Sequence, residues 1–453
     1  MDICAVVLAA GEGKRMKSKK SKLVHRLAGR PIVGWVHEAL NSVGAADQVY
    51  IVGHLQEQVR AALGEGVAFV IQERQLGTGH AVMQAAPFLE SRGGCTLVLV
   101  GDAPLISPET LRDALAMYES DGYAAVVITA DAEDPTGLGR IVRDTEGNLR
   151  AIVEHRDATP AQRRIREINS GMYVFNTPLL LSALGRIGSQ NVQNEYYLTD
   201  TIGILIGDGH RIGAFKAPFE ETLGINDRVQ LAQAARIMNR RICERHMRAG
   251  VTILDPDAVW IDGMVEIGAD TEILSGTRLE GATVIGEDCV IGPASRLIDV
   301  TVGDGVFLEN TAAAGCRVGE GARVGPYACL RPGTVIGRNS RVGVFVEIDN
   351  ATIGDRTRAA HLAYIGDADL GTGVTYGCGS ITANDDGSLR QRTVVGDNAF
   401  IGSNAVLVAP VEIHENAYVA AGSTITDGVP AGALAIARER QTVKRNWNRR
   451  VPT

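Results

Sequence analysis

The amino-acid sequence predicts two unlike halves: an α/β domain of Rossmann-like type with a mostly parallel sheet, then a parallel β-helix of hexapeptide repeats. Three observations carry this. At 453 residues the chain exceeds one ordinary domain. Aromatic residues make up only 5% while glycines number 53, which is lean in large core side chains and rich in turns. The residue pattern also changes character near residue 250.

Before that point short apolar runs alternate with longer amphipathic stretches. Ile3–Ala10, Gln48–Val52, Thr96–Val100 and Ala124–Ala130 read as buried strands. Pro31–Val43, Thr78–Leu89 and Ser107–Tyr118 read as helices between them. Such alternation predicts a parallel sheet with helices on both faces. Asn226–Arg248 reads as one long charged helix, a connecting arm. The expected divisions are 1–225, a linking arm at 226–250, the β-helix at 251–437 and a basic tail at 438–453.

From Val251 onward an aliphatic residue followed by glycine recurs, as in Ile285-Gly286, Ile291-Gly292, Val318-Gly319, Val324-Gly325, Ile336-Gly337 and Val342-Gly343. Most steps are six residues or a multiple of six, with a few slips. Hexapeptides of this kind build a parallel β-helix. The aliphatic residue points inward, and glycine is expected to permit the tight corner. The step from Tyr376 to Val395 is nineteen and encloses the polar run Ala383–Ser388, which predicts a loop leaving the helix. Insertions in repeat proteins are where function tends to sit.

Bulk charge and cysteine usage narrow the function. A net charge of −8 argues against a general nucleic-acid binder. Basic residues cluster in the tail, at Arg438, Arg440, Lys444, Arg445, Arg449 and Arg450. That run is either a solvated terminus or a contact for an anion such as a phosphorylated cofactor. The seven cysteines are scattered, with no C-x-x-C pair, so neither a disulfide framework nor a zinc site is indicated. Ile3–Ala10 is too short to span a membrane and lacks a preceding basic stretch, so no membrane association and a cytoplasmic location are expected.

The first strand runs into Gly11-Glu12-Gly13-Lys14-Arg15-Met16, a Gly-rich turn that can present backbone N–H groups to an anion. It is not the dinucleotide fingerprint, because Met16 stands where a third glycine should be. Nor is it a Walker A loop, which needs Gly-Lys-Ser/Thr. Taken alone, the turn is as compatible with a plain tight turn as with a phosphate site.

Its surroundings are more specific. Leu8-Ala9-Ala10-Gly11-x-Gly13-x-Arg15-Met16 followed by Lys22 resembles the signature of sugar-1-phosphate nucleotidyltransferases. Gln75–His80, Gly101-Asp102-Ala103-Pro104-Leu105, Asp134–Arg140, Ile152–His155, Glu167–Gly171 and Glu195–Asp200 match further motifs in the right order. With the β-helix behind them, the whole chain resembles the family of bifunctional N-acetylglucosamine-1-phosphate uridylyltransferases/glucosamine-1-phosphate N-acetyltransferases. That resemblance implies a left-handed β-helix, a homotrimer, and UTP, a sugar-1-phosphate and acetyl-CoA as substrates.

For uridylyl transfer the resemblance implies positive charge from Arg15 and Lys22 on the triphosphate, and Mg²⁺ held by Asp102 and Asn226. Magnesium is a hard ion that prefers oxygen ligands. Leu8, Ala10, Gly11, Gln72, Gly77 and Thr78 fall at nucleotide positions, with Gln72 and Gly77 reading the uracil. Gly139, Glu154, Asn169, Thr199 and Asn226 fall at sugar positions. His80 and His155 read as structural, since an attacking phosphate needs no base.

For acetyl transfer the resemblance makes His361 the base that takes the amine's proton. Arg331, Asp349, Tyr364 and Thr375 fall at acceptor positions; Cys378, Asn384, Asp385, Ser403, Ala421 and Arg438 fall at acetyl-CoA positions. Departures cluster on the acceptor side. Asp349 stands where the family has a lysine on the acceptor phosphate, Asp385 replaces a tyrosine, and Thr375 an asparagine. Asp349 is expected to weaken binding of the acceptor phosphate, so that the C-terminal half binds acetyl-CoA but acetylates glucosamine-1-phosphate poorly or prefers another amine, unless Arg358 near the same coil compensates. The alternative is that the β-helix serves only as a trimerising scaffold. On the uridylyl side, Ser21 and Val100 replace a proline and a tyrosine.

Overall fold

The computed structural model describes residues 2–445 and 447; Arg449 and Arg450 of the basic tail lie outside the described residues. Two compact units, Met1–Met238 and Asn239–Thr453, each have their own core.

The first unit is built on a sheet whose strands run in the order Ile212–Lys216, Ala125–Asp131, Glu167–Asn176, Cys95–Val100, Ile3–Ala9, Asp47–Val52, Ala68–Ile71. Neighbours of Ile3–Ala9 on both sides run parallel to it. Glu167–Asn176 is antiparallel to both its neighbours, so the sheet is mixed at that point. The central strands are buried almost throughout, as expected of a sheet covered on both faces. Helices Ile32–Ser42 and Pro108–Asp121 fall where the pattern places them. The stretch Thr78–Leu89 instead forms two short helices, Thr78–Met83 and Ala86–Glu90. Pro87 lies in the first turn of the second; it has no N–H to give, and its ring would clash with the carbonyl four residues back, that of Met83.

Helix Arg228–Arg248 begins within the first unit and ends within the second. Among the described residues no helix is long and apolar enough to cross a membrane, and all seven cysteines are unpaired.

The second unit is the parallel β-helix that the hexapeptides predict, of the left-handed kind that the resemblance implies. Two- and three-residue strands stack in parallel: Glu266–Ile267, Glu272–Ile273 and Arg278–Glu280 pair with Val284–Ile285, Val290–Ile291 and Arg296–Ile298 of the next coil. Ile285, Ile291 and Leu297 point inward and are buried. Each such side chain contributes roughly 1.5–3 kcal/mol by leaving water, so the core needs few aromatics; Tyr376 is one that it buries.

Glycine's part differs from the expected one. Apart from Gly292 and Gly325, at φ +112° and +95°, the glycines after the aliphatic residue are not in the left-handed region. They are required because a Cβ on Gly268 would lie 2.6 Å from the Gly286 carbonyl carbon of the next coil, and one on Gly354 would lie 2.4 Å from that of Gly371. The left-handed corners are shared between Asp and Asn, as at Asp270, Asp288, Asn339, Asn398 and Asn416, and other glycines, as at Gly305, Gly321 and Gly373. The short polar side chains of Asp and Asn tolerate that conformation.

The nineteen-residue step does leave the coil. After Ile381–Ala383 the chain makes a small hairpin closed by a bridge between Asp385 and Arg390, and re-enters at Thr393–Val395. Asp386 caps its turn by accepting from the N–H groups of Ser388 and Leu389, both at 2.8 Å.

Candidate functional site

In the first unit, the chain leaves strand Ile3–Ala9 toward Asp47–Val52 on one side and later returns as Cys95–Val100 on the other. Open α/β sheets form a crevice outside the carboxyl ends of the strands at such a switch point. A cleft of about 400 Å³ lies there. All the expected nucleotide contacts, Leu8, Ala10, Gly11, Lys22, Gln72, Gly77 and Thr78, line it together with Asp102. Arg15 stands exposed on the turn Lys14–Met16 and is not part of the cleft wall.

Lys22 is buried, and its ammonium group donates to the Asp102 carboxylate and, at 3.1 Å, to Asn226 Oδ1. Asn226 is held there because the Ile225 N–H donates to the Asp102 carbonyl at 2.8 Å and the Asn226 N–H to Gln230 Oε1 at 2.7 Å. Two hard oxygens therefore converge on one cation. That donor set suits Mg²⁺, which usually keeps several waters and takes phosphate oxygens besides one or two protein ligands. Among the described residues no group of three or more His, Cys, Asp or Glu could hold a metal ion.

The Gln72 side chain is fixed by its amide nitrogen, which lies 3.2 Å from the Gly77 carbonyl and 3.0 Å from His80 Nδ1. His80 thus acts on Gln72's orientation, a structural role. Gly77 sits at φ +110°, and a Cβ there would lie 2.5 Å from the Tyr196 carbonyl oxygen. Gly77→Ala is expected to displace the 195–197 segment and destabilise the first unit by about 1–3 kcal/mol. Denaturant unfolding checks this; an unchanged midpoint would show that the contact is dispensable.

The expected sugar residues also gather. Gly139 would place a Cβ 3.4 Å from Asn169 and 3.5 Å from the Glu154 carboxylate. Thr199 Oγ1 donates to Glu154 at 3.4 Å, and the Asn169 amide donates to the Tyr173 hydroxyl at 2.7 Å. Burial pushes the Glu154 carboxyl pKa up; Asp157, Asp200 and Glu195 add to this, while Thr199's hydrogen bond opposes it. The folded state then binds a proton that the unfolded chain has released. Stability therefore falls as pH rises from the ordinary glutamate value through the raised one. Glu154→Gln is expected to melt above the parent at pH 8, with the gap closing near pH 4. Equal melting temperatures at both pH values would contradict this.

In the second unit, strand register brings together several of the residues expected for acetyl transfer. Ala359 pairs with Tyr376, Tyr376 with Ile401, and Ile401 with Val419. His361, Cys378, Ser403 and Ala421 each follow these by the same offset, so they form one column along a corner of the helix. With strands about 4.8 Å apart, the column covers about 14 Å. All four are exposed, and Arg438 is exposed just beyond the last strand.

Beside this column lies a polar patch. Arg331 Nε donates to Glu347, which pairs across the strands with Tyr364. Asp349 pairs with Gly366, over which the Tyr364 hydroxyl and the Asn384 amide close. Asn384 is buried and donates to Asp367 at 2.6 Å. Thr375 is not brought to this patch; it pairs with Arg358 and Phe400, before the corner. Arg358 does not compensate for Asp349 either. It sits at the opposite end of strand Arg358–Gly366 from the residue that Asp349 faces. The cation beside Asp349 is Arg390, at 3.4 Å.

Residues 5–172 match the MobA-like NTP transferase domain, and residues 315–350 and 392–427 match the bacterial transferase hexapeptide. Residues 282–311 match the hexapeptide repeat of succinyl-transferase. The "Bifunctional protein GlmU" of Acetivibrio thermocellus is 50% identical over 446 residues, covering 98% of this chain and 97% of that protein. That of Brevibacillus brevis is 50% identical over 451 residues, covering 99% and 98%. The chain belongs to the GlmU family. It is a bifunctional enzyme, a uridylyltransferase in its N-terminal half and an acetyltransferase in its C-terminal half. Nucleotidyl transfer in the GlmU family calls for a divalent metal, and both halves act on small molecules.

Against that family reading, the structure adds residues that motif reasoning passed over. Gln75 donates to the Ala10 carbonyl at 2.6 Å and lines the cleft with Glu195. Both stood inside matched motifs, so their signal was present. Arg390 had no such signal, because only the hairpin's folding carries it to the patch.

Proposed function

We propose that the first unit joins UTP to N-acetylglucosamine-1-phosphate, giving UDP-N-acetylglucosamine and pyrophosphate, with Mg²⁺ as the metal. A phosphate oxygen of the sugar attacks the α-phosphorus of UTP; that bond forms as the α–β bond breaks, and pyrophosphate leaves with the electron pair. No base is needed, because the nucleophile is already anionic. The observation that carries this is the convergence of Lys22, Asp102 and Asn226 in the cleft. Lys22 neutralises charge on the triphosphate, Gln72 and Gly77 read the base, and Gly139, Glu154, Asn169 and Thr199 hold the sugar. Mg²⁺, held by Asp102 and Asn226, supplies further charge neutralisation when bound.

The second unit transfers an acetyl group from acetyl-CoA to the amine of an amino sugar. His361 takes the amine's proton while nitrogen attacks the acetyl carbon. The C–S bond then breaks, and the thiolate of CoA leaves and is protonated by His361. Support comes from the register that stacks His361 with Cys378, Ser403 and Ala421, positions suited to the thioester and its arm.

A homotrimer is the assembly we favour. Tyr327, Phe345 and Leu362 hold left-handed corners one position along from the His361 column and are 59%, 60% and 57% exposed. The two rings stack at 5.5 Å. An exposed column of bulky residues in a conformation that costs them about 1 kcal/mol or more each suits burial against another copy. We read the location as cytoplasmic and helix Arg228–Arg248 as a connecting arm.

Two assays on one preparation test these readings: pyrophosphate release from UTP with N-acetylglucosamine-1-phosphate, and thiol release from acetyl-CoA with amino sugars. Release in both supports the two reactions. Pyrophosphate without thiol release from any amine would reduce the β-helix to a scaffold.

A further inference from the structure

Gly139, Glu154 and Asn169 meet because of strand register. Arg140 pairs with Val153 on one side and with Ile168 on the other, both antiparallel. One position further out, Gly139 therefore lies between Glu154 and Asn169, and the Asn169 N–H donates to the Gly139 carbonyl at 2.9 Å. Arg140 is the paired residue directly beneath all three.

Its side chain is unusual for a core. It is 1% exposed and makes no ion pair among the described residues. Burying a charge without a counter-ion is costly, and a well-packed apolar side chain would fill the space without that cost. The guanidinium is instead engaged at three fixed points. One terminal nitrogen donates to the Leu138 carbonyl. The other donates to His155 Nδ1 and to the Arg163 carbonyl, both at 3.4 Å. A guanidinium can only donate, so His155 accepts through Nδ1 and is the neutral tautomer with its hydrogen on Nε2. Leu138 directly precedes Gly139, and His155 directly follows Glu154. The fork thus joins the two segments that carry the sugar residues and fixes the spacing between them.

We propose that Arg140 and His155 are positioning residues for uridylyl transfer, a buried clamp that sets Gly139 and Glu154 at the spacing the acceptor sugar requires. The proposal rests on the reading of Gly139, Glu154 and Asn169 as the sugar subsite. Arg140 does not touch substrate; it acts through Leu138 and His155. The planar fork is what the role demands, since a lysine ammonium does not hold several acceptors at a set spacing. The effect falls on the sugar side, because Gln72 on the nucleotide side is held separately by Gly77 and His80.

The test is pyrophosphate release with N-acetylglucosamine-1-phosphate and UTP varied in turn, using the full-length protein and its His155→Leu, His155→Gln and Arg140→Lys variants. Melting curves check that each is folded. His155 is only half-buried, so its two variants carry the test even where Arg140→Lys does not fold. His155→Leu removes the acceptor and is expected to raise KM for the sugar phosphate about tenfold or more, with KM for UTP within about threefold of the parent. His155→Gln offers an amide oxygen to Arg140 and should bring the sugar KM back to within about threefold of the parent. Arg140→Lys keeps the charge without the fork, and should resemble His155→Leu. An unmoved sugar KM in His155→Leu overturns the clamp. So does an equal rise in both KM values, which a general loosening of the unit would give, or a glutamine variant as impaired as the leucine one. A parent that releases no pyrophosphate with this sugar phosphate overturns the sugar-subsite reading on which the clamp stands.

Discussion

Asp102→Asn is expected to lower uridylyl transfer by about 10²–10³-fold while leaving acetyl transfer intact. The substitution keeps the shape of the side chain and removes one charge. That charge does two things in the cleft. It is the counter-ion of Lys22, whose side chain is only 10% exposed, and with Asn226 it forms the oxygen pair suited to a divalent metal. An amide can still accept a hydrogen bond from the ammonium, so the geometry survives and the electrostatics do not. Loss of one preorganised charge contact at a phosphoryl centre costs that order of magnitude. A metal titration separates the two effects. The midpoint should move to higher Mg²⁺ in the variant, whereas a lower rate with an unmoved midpoint would mean that Asp102 serves only to hold Lys22. Activity within threefold of the parent would remove Asp102 from the site.

His361→Ala should have the complementary phenotype, a fall in acetyl transfer of about 10²–10⁴-fold with uridylyl transfer unchanged. General-base assistance to an attacking amine has that magnitude. The side chain is exposed and makes no hydrogen bond among the described residues, so truncation leaves no buried group unsatisfied and the coil is expected to keep its stability. Cys378, Ser403 and Ala421 stay in register because backbone pairing holds them there. Acetyl-CoA should therefore bind the variant as it binds the parent, which makes the prediction a loss in kcat. A parallel loss of acetyl-CoA affinity would instead mark His361 as a binding residue.

Much of this was legible along the chain. The hexapeptide spacing announced the coil because the inward position recurs with a strictly local period, and each aliphatic residue is buried for the same reason as the last. The strand leading into Gly11 and the one leading into Asp102 announced the cleft, because a buried parallel strand must end at an edge where polar residues can gather. Pro87 was equally legible as a helix break, yet the apolar period ran through it and hid the interruption. The antiparallel strand Glu167–Asn176 carried no such mark, since direction is a property of the pairing and not of the strand.

Arg358 and Arg390 show where local reading stops. Arg358 is nine residues from Asp349 in sequence and Arg390 is 41 away, yet Arg390 is the neighbour. The coil turns corners between Asp349 and Arg358, and the hairpin folds back over the coil that carries Asp349.

By itself the sequence determined the two architectures, the order of the motifs and the chemistry each could perform, because these depend on residue type at short spacing. Only the tertiary structure decided which charges meet. Lys22 reaches Asn226 across 204 residues, and three carboxylates close around one arginine from three separate segments. The physical reason is that Coulombic and hydrogen-bond energies depend on distance in space, which follows from strand order and coil register. Spacing along the chain does not encode it.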